Sequence, residues 1–349
     1  MKDDNNNFPA KKWINKGLSI VLILTLLSSG LIMFNSTKHH GLPDLRGFNY
    51  WALGGTCLIL IISWLIEALR IRLIVKGLGE NISFSKMLGI NLVTLFTGNI
   101  TPFCSGGIPT QIYLLCQAGI QAGKASAIVT LRVIISTLLF TIFSPFLLIF
   151  FYKQLPLGLI RQIIGIAIPL AALFSLILIM VIIKPELINH LLKQIFKSIS
   201  RFKLATKLEP LITKIITELE IFRDSIQQFR NGLYFYLLIL CSAGYWFAFF
   251  AIAPCLLLAF GVPYDPNTFM QTIIFQFLLV FLISYLPIPG GSGAMEFGLY
   301  SVLVFVPLQL RAIFILSWRF FSYYLSTFVG GIILLRILHH SRSNAETPN

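Results

Sequence analysis

Six long apolar runs punctuate the chain, at 17–34, 51–69, 125–151, 159–183, 233–260 and 312–335. Each is long enough to cross a bilayer as a helix, given a rise of about 1.5 Å per residue. Two further apolar regions, 87–118 and 268–307, are broken near their middles. The second break reads Pro287-Ile-Pro289-Gly290-Gly291-Ser292-Gly293-Ala-Met-Glu296, and the first reads Asn99-Ile-Thr101-Pro102-Phe-Cys-Ser105-Gly106-Gly107-Ile-Pro109. Proline and glycine interrupt helices. Interrupted backbone at membrane depth is tolerated only where it is buried in protein or lines a cavity. The pattern predicts an all-α polytopic membrane protein with about six crossing helices and two re-entrant helical hairpins.

Lys and Arg concentrate at 11–16, 70–86, 184–230 and 336–342, while 35–49, 153–156 and 261–267 are poorer in them. Basic segments stay in the cytoplasm. That rule gives a cytoplasmic tail at 1–16 and a first transmembrane half at 17–183 that holds the hairpin 87–118. A connector at 184–230, a second half at 231–338 with the hairpin 268–307, and a tail at 339–349 follow. Both termini are then cytoplasmic. The first run follows a basic segment but lacks a small-residue cleavage site, so it reads as a retained helix. In the connector, apolar residues recur at helical spacing with lysines between them, which predicts either two amphipathic helices on the inner membrane surface or, equally, a plain soluble helical hairpin. The ends, 1–9 and 341–349, read as unstructured from their polar composition.

The two hairpins would enter from opposite faces, which is the mark of an inverted-topology repeat. Each has a proline ahead of a Gly-Gly pair and is followed by a run containing an arginine. Gly107 to Arg132 is 25 residues and Gly291 to Arg319 is 28.

Composition narrows the class further. The chain has 349 residues, 56% hydrophobic and 11% charged, with a mean hydropathy of +0.84. Those values exclude an ordinary soluble domain. The net charge of +14 sits between the apolar runs, so it reads as topology and attraction to anionic headgroups rather than nucleic-acid binding. The five cysteines form no CxxC pair and lie in or beside apolar runs, so free thiols packed as small hydrophobes are expected.

Candidate chemistry concentrates at the breaks. Arg132 and Arg319 lie within apolar runs, where a guanidinium needs an anionic partner or a wet cavity. A carboxylate such as Glu296 or a lipid phosphate meets that need, and an interfacial snorkel or a fold-locking pair is the competing reading. Three roles are open to Glu296: a proton carrier, an ion-pair partner, or a ligand for a cationic headgroup. Gly106-Gly107 and Gly290-Gly291 would each separate two half-helices and present backbone N–H groups to an anion. Thr101, Ser105 and Ser292 add hydroxyls. Pro102, Pro109, Pro287 and Pro289 are the expected structural breaks. Asn99, Gln111, Gln271 and Gln276 are polar residues of a type that hydrogen-bonds across membrane helices. Tyr285, Trp318, Tyr323 and Tyr324 read as interfacial or core aromatics.

Several chemistries lack their residues. Gly290-Gly-Ser292-Gly293 fits a serine-protease pattern, but all five histidines fall outside the crossing runs. No HExxH or P-loop occurs. No metal and no cofactor are expected.

The run Pro287-x-Pro-Gly-Gly-x-Gly-x-x-Glu296, with Thr101-Pro-Phe-x-Ser-Gly-Gly-x-Pro109, resembles the motifs of the flippase-like family of the lysylphosphatidylglycerol synthetase transmembrane region. The resemblance covers roughly 51–336. Ile108 and Gln111 depart from it, standing where that family often has an acidic and a basic residue. It implies a lipid-handling membrane unit that moves a phospholipid, aminoacyl-phospholipid or polyprenyl-phosphate-linked lipid between leaflets of the cytoplasmic membrane. The chain is not expected to carry the soluble synthase domain of bifunctional members, so no synthase activity is expected. Substrate contacts would fall on Arg132, Arg319, Glu296, Asn99, Thr101, Ser105, Gly106, Gly107, Gly290, Gly291, Ser292 and Gly293. The partners expected are lipids with anionic headgroups, a cytoplasmic enzyme at 184–230, or a second copy of the chain. The alternatives are a membrane transferase acting on a lipid-linked sugar or aminoacyl group, and a non-catalytic membrane partner of a cytoplasmic enzyme.

Overall fold

Asn49 opens the first long helix by accepting hydrogen bonds from the Trp51 and Ala52 N–H groups at 3.0 and 3.2 Å. The computed structural model of the chain describes residues 45–151, 221–229, 232–284, 288–304 and 306–346, with isolated positions elsewhere. Every element among the described residues is helical. The first half contains α1 (Tyr50–Gly77), α2 (Phe84–Asn99), α3 (Gly107–Gln117) and α4 (Ala122–Phe151). The second contains α5 (Leu233–Ala259), α6 (Pro266–Ile283), α7 (Ala294–Val302), α8 (Leu308–Arg319) and α9 (Leu325–Glu346). A π turn at Phe320–Tyr324 joins α8 to α9.

Four described helices are long and apolar enough to cross a membrane: Ala122–Leu147, Leu233–Ala259, Pro266–Ile283 and the continuous rod Leu308–His339. The expected crossing at 51–69 falls within α1, a helix of 28 residues that is not one of these four. The expected runs at 17–34 and 159–183, and most of the connector, lie outside the described residues. Both broken regions do form a helix, a turn and a second helix. The leading arm of the second, α6, has 18 residues and is one of the four. At about 1.5 Å per residue it spans about 27 Å, close to the hydrocarbon thickness.

The two halves join along α1 and α5, which run antiparallel over their whole length. At one end Asn49 N–H donates to Ala259 O at 2.8 Å. At the other end Gly77 lies against Phe229 and Tyr234. One apolar core gathers the C-terminal half of α1 with α2, α3, α4 and Leu238 of α5. The other gathers Leu60 of α1 with the C-terminal half of α5 and α6, α7 and α8. Opposite ends of the α1–α5 pair therefore serve opposite cores. A helix of each half also packs on the hairpin of the other, α9 on α2 and α4 on α6. The α9 contact is close. A Cβ at Gly330 would run into the Leu92 carbonyl, whereas one at Gly331 would meet only the Phe96 ring, at 3.2 Å.

Three expectations change here. The end of the connector, 221–229, buries Ile226 and Phe229 in the first core, so this part docks on protein rather than lying on a membrane surface. Residues 341–346 continue α9 instead of being unstructured. No Gly or Pro interrupts 332–346, and each added residue extends a helix already nucleated. All five cysteines are free, as expected, but Cys57 and Cys104 are exposed rather than packed.

Gly330→Ala should lower the melting temperature of the purified protein, because backbone cannot yield as a ring can; overpacking of this kind costs about 1–3 kcal/mol. Gly331→Ala should be neutral or slightly stabilising. A second expectation concerns Asp265, the cap of α6. The Thr268 hydroxyl and N–H donate to its carboxylate at 2.7 and 2.9 Å and hold its pKa below the usual range. A depressed folded pKa means that the cap stabilises above the ordinary Asp value of about 3.9. That contribution is lost as pH falls through the folded pKa. Hydrogen exchange at the Asn267 and Thr268 amides should accelerate in that acidic window, beyond its intrinsic pH trend, and Asp265→Asn should remove the excess pH dependence.

Candidate functional site

The turn of each hairpin opens with an extended residue ahead of a proline. The residue before a proline is driven out of the helical region. Thr101 (φ −117°, ψ 146°) and Ile288 (φ −108°, ψ 124°) are both extended. After Pro102 and Pro289 the chain makes the same left-handed turn twice. Phe103 has φ 55° and Gly290 has φ 57°; Cys104 has φ 53° and Gly291 has φ 63°. The matched positions are Phe103-Cys104 and Gly290-Gly291, not the two Gly-Gly pairs. Gly106 has an ordinary φ of −71° and is small because a Cβ there would strike Thr101 and the Thr97 carbonyl. With the turns aligned, Pro102 matches Pro289 and Arg132 matches Arg319, each pair 187 residues apart. The spacing from turn to arginine is then equal in the two halves, which corrects the 25 and 28 counted from the Gly-Gly pairs.

The halves close their turns with different chemistry. In the first, the Thr101 hydroxyl donates to Thr97 O and accepts from Gly106 N–H, both at 2.8 Å. In the second, Glu296 Oε2 accepts from Gly293 N–H at 2.7 Å. The first turn of α7 thus already has its anion, which weakens the reading of this helix start as an open phosphate site. Pro109 is not a break: it lies in the first turn of α3, where a missing N–H costs no helical bond. Pro287 lies outside the described residues.

Arg319 ties the second turn down. Its Nε donates to Glu296 Oε1 at 2.9 Å, and its Nη2 donates to Gly290 O at 3.1 Å and to Ser292 Oγ at 3.4 Å. Its guanidinium carbon lies 4.4 Å from the Tyr323 ring centroid. Tyr323 Oη in turn donates to Asn99 O at 2.8 Å, and Asn99 Nδ2 donates to Thr327 Oγ1 at 2.7 Å. This chain of contacts links one hairpin tip to the other, and the two turns touch. A Cβ at Gly290 would collide with Tyr323, so glycine is required by both φ and space.

Arg132 does something else. Its Nη1 donates to Glu67 Oε1 at 2.9 Å, and the other oxygen of Glu67 accepts from Arg70 Nη1 at 2.9 Å. Arg70 Nη2 donates to Arg132 O and to Ser136 Oγ, both at 2.6 Å. Glu67 and Arg70 are buried and Arg132 is half-buried where α1 meets α4. Arg70 had been counted with the basic cytoplasmic segment 70–86, yet it is only 1% exposed. Glu67 was overlooked, although a carboxylate inside the run 51–69 is the signal that singled out Glu296. Arg311 was overlooked too. It donates to the Tyr300, Val304 and Val306 carbonyls and closes the end of α7.

A cavity of about 270 Å³ lies between the two tips. Among the expected substrate residues, Asn99, Gly290, Gly291 and Arg319 line it. Arg132, Glu296, Thr101, Ser105, Gly106, Gly107, Ser292 and Gly293 do not. Its walls also hold aromatics: Trp64 on α1, Tyr245 and Trp246 on α5, Trp318 on α8, and Tyr323. Trp318 and Tyr323 are buried, as core aromatics, and also border the cavity. Of the polar hairpin residues, Gln276 bonds to Phe250 O as expected at 3.3 Å, while Gln111 is buried with neither amide atom paired.

Comparison with known proteins identifies the family. The family model for the lysylphosphatidylglycerol synthase TM region matches residues 18–330. A UPF0104 membrane protein of Archaeoglobus fulgidus is 30% identical over 317 residues, which is 89% of this chain and 94% of that one. No solved structure matches the chain. The chain belongs to the lysylphosphatidylglycerol synthase TM region family, and it is a membrane protein.

Glu296→Gln should strand a buried guanidinium and destabilise the protein by about 3–5 kcal/mol. Removing both charges in Glu296→Gln/Arg319→Gln should cost less than the sum of the single changes. Thermal melts of the four proteins in one detergent read this coupling; additive losses would show that the pair is not an energetic unit.

Proposed function

We propose that the protein is a lipid translocase of the cytoplasmic membrane, with both termini in the cytoplasm and the two hairpins entering from opposite faces. The observation that carries this reading is the cavity between the hairpin tips, with a guanidinium on its wall. Pockets for drug-sized ligands run to about 300–1,000 Å³. The 270 Å³ here suits a headgroup whose acyl or prenyl chains stay in the bilayer. Arg319 supplies a fixed positive group for a phosphate, and its bonds to Glu296 and the Gly290 carbonyl hold it in place. Of the three roles open to Glu296, the ion-pair partner is the one its geometry favours.

Alternating exposure has a natural basis in this architecture. The antiparallel α1–α5 pair and the matched turns support an inverted repeat, in which each half rocks against the other around a fixed site. No metal, cofactor or covalent step is needed. The connector would serve as a docking element for a cytoplasmic enzyme that makes or uses the lipid, and a homo-oligomer would leave this path within each copy.

The test is a leaflet-accessibility assay in proteoliposomes, with labelled phosphatidylglycerol, lysyl-phosphatidylglycerol and a polyprenyl phosphate. At least one lipid should cross faster than in empty vesicles. Ser284 lines the cavity and is exposed, so Ser284→Trp should fold normally while blocking the space. Movement should fall about tenfold or more, a barrier change of about 1.4 kcal/mol. Arg319→Ala should abolish it. Undiminished movement in a folded Ser284→Trp protein would remove the cavity from the path.

A further inference from the structure

Charge is distributed unevenly around the cavity. Arg319 is the only charged residue among the described residues that line it, and no carboxylate lines it. Glu296 is not available to a ligand, since one oxygen faces Arg319 Nε and the other faces Gly293 N–H. Arg319 and Glu296 together are neutral. The cluster at α1 is not neutral: two guanidiniums share the Glu67 carboxylate, a net charge of +1. The Nε atoms of Arg70 and Arg132 have no hydrogen-bond partner.

This excess charge lies close to the cavity. Ser63 lines the cavity, and Glu67 follows it by one helical turn, about 6 Å along α1. Tyr245 also lines it, and the Arg70 guanidinium carbon is 5.8 Å from that ring. Beside the walls stand buried polar atoms without a partner. Trp246, Trp318 and Ser322 line the cavity, and their Nε1 and Oγ atoms have no hydrogen-bond partner. An indole N–H only donates. A surplus cation in apolar surroundings is costly unless an anion approaches.

We infer that the cavity takes a lipid headgroup of net negative charge, a phosphate mono- or diester, and discriminates against one whose phosphate is offset by ammonium groups, such as the lysyl ester of phosphatidylglycerol. The Glu67–Arg70–Arg132 cluster supplies the charge that makes this choice. The inference rests on the translocase reading for its ligand class, but it concerns binding rather than movement.

The experiment measures binding to the purified full-length protein in detergent, followed by tryptophan fluorescence. Trp64, Trp246 and Trp318 line the cavity and act as reporters. The probes are phosphatidylglycerol, lysyl-phosphatidylglycerol, farnesyl phosphate and inorganic phosphate. Phosphatidylglycerol and farnesyl phosphate should bind about tenfold or more tighter than the lysyl lipid. Arg132→Gln leaves Glu67 and Arg70 as a neutral pair and should narrow that ratio to about threefold or less. Glu67→Gln frees a second positive charge and should widen it. Damage to the fold would move both variants in the same direction. Equal affinity for the two phosphatidylglycerol forms, parallel shifts in the two variants, or no binding of either anionic lipid overturns the inference. Inorganic phosphate binding as tightly as the lipids would assign the site to a free anion and overturn the headgroup. A protein that prefers the anionic lipids yet moves none of them would sink the translocase reading and leave this one standing.

Discussion

Withdrawing the Arg319 guanidinium from water costs several kcal/mol, and the groups that offset that cost come from separate stretches of chain. Glu296 belongs to α7, Gly290 and Ser292 belong to the turn before it, and Tyr323 belongs to the π turn. Satisfying one cation therefore fixes where a broken helix must stop and restart. It also fixes the contact between hairpins, because the Tyr323 ring beneath the cation carries the hydroxyl that holds the end of α2. The cavity between the tips is what remains once these demands are met. Its shape follows from the ion pair rather than from apolar packing alone.

The two halves share a backbone and differ in charge. Pro102 and Pro289 begin equivalent turns, and Arg132 and Arg319 occupy equivalent places on the following helix. The carboxylate that each arginine meets comes from a different element, Glu67 on α1 in one half and Glu296 on α7 in the other. A matched pair of scaffolds thus carries an unmatched pair of sites, one neutral and turned to the cavity, the other positive and set behind it.

Much of this was legible in the residues. Proline and glycine inside apolar runs located both breaks, and a carboxylate marked the second, because each is expensive in a continuous membrane helix. The arginines were visible for the same reason. Glu296 was in view as one option for a partner, but Glu67 was not, since the Glu67–Arg132 pair spans 65 positions and leaves no local pattern. The alignment of the repeats was also hidden. Phe103 and Cys104 adopt φ values that a reader expects of glycine, so the true match to Gly290-Gly291 carries no glycine at all. The aromatic walls of the cavity escaped notice because Tyr245 and Trp246 lie in a helix that is apolar throughout, where nothing marks one face from another.

The π turn at Phe320–Tyr324 has one more effect. There the Leu325 N–H reaches back to Phe320 O, five residues rather than four. A π turn amounts to one extra residue in an α-helix, and each residue rotates the rod by about 100°. The segment Leu308–His339 is thus two helices sharing one axis, out of phase by a single position. Upstream, the phase aims Arg319 at the second hairpin; downstream, it aims Thr327 and Gly330 at the first. Loss of one residue there would keep the rod nearly its full length and swing its lower half away from the partner it was cut to fit.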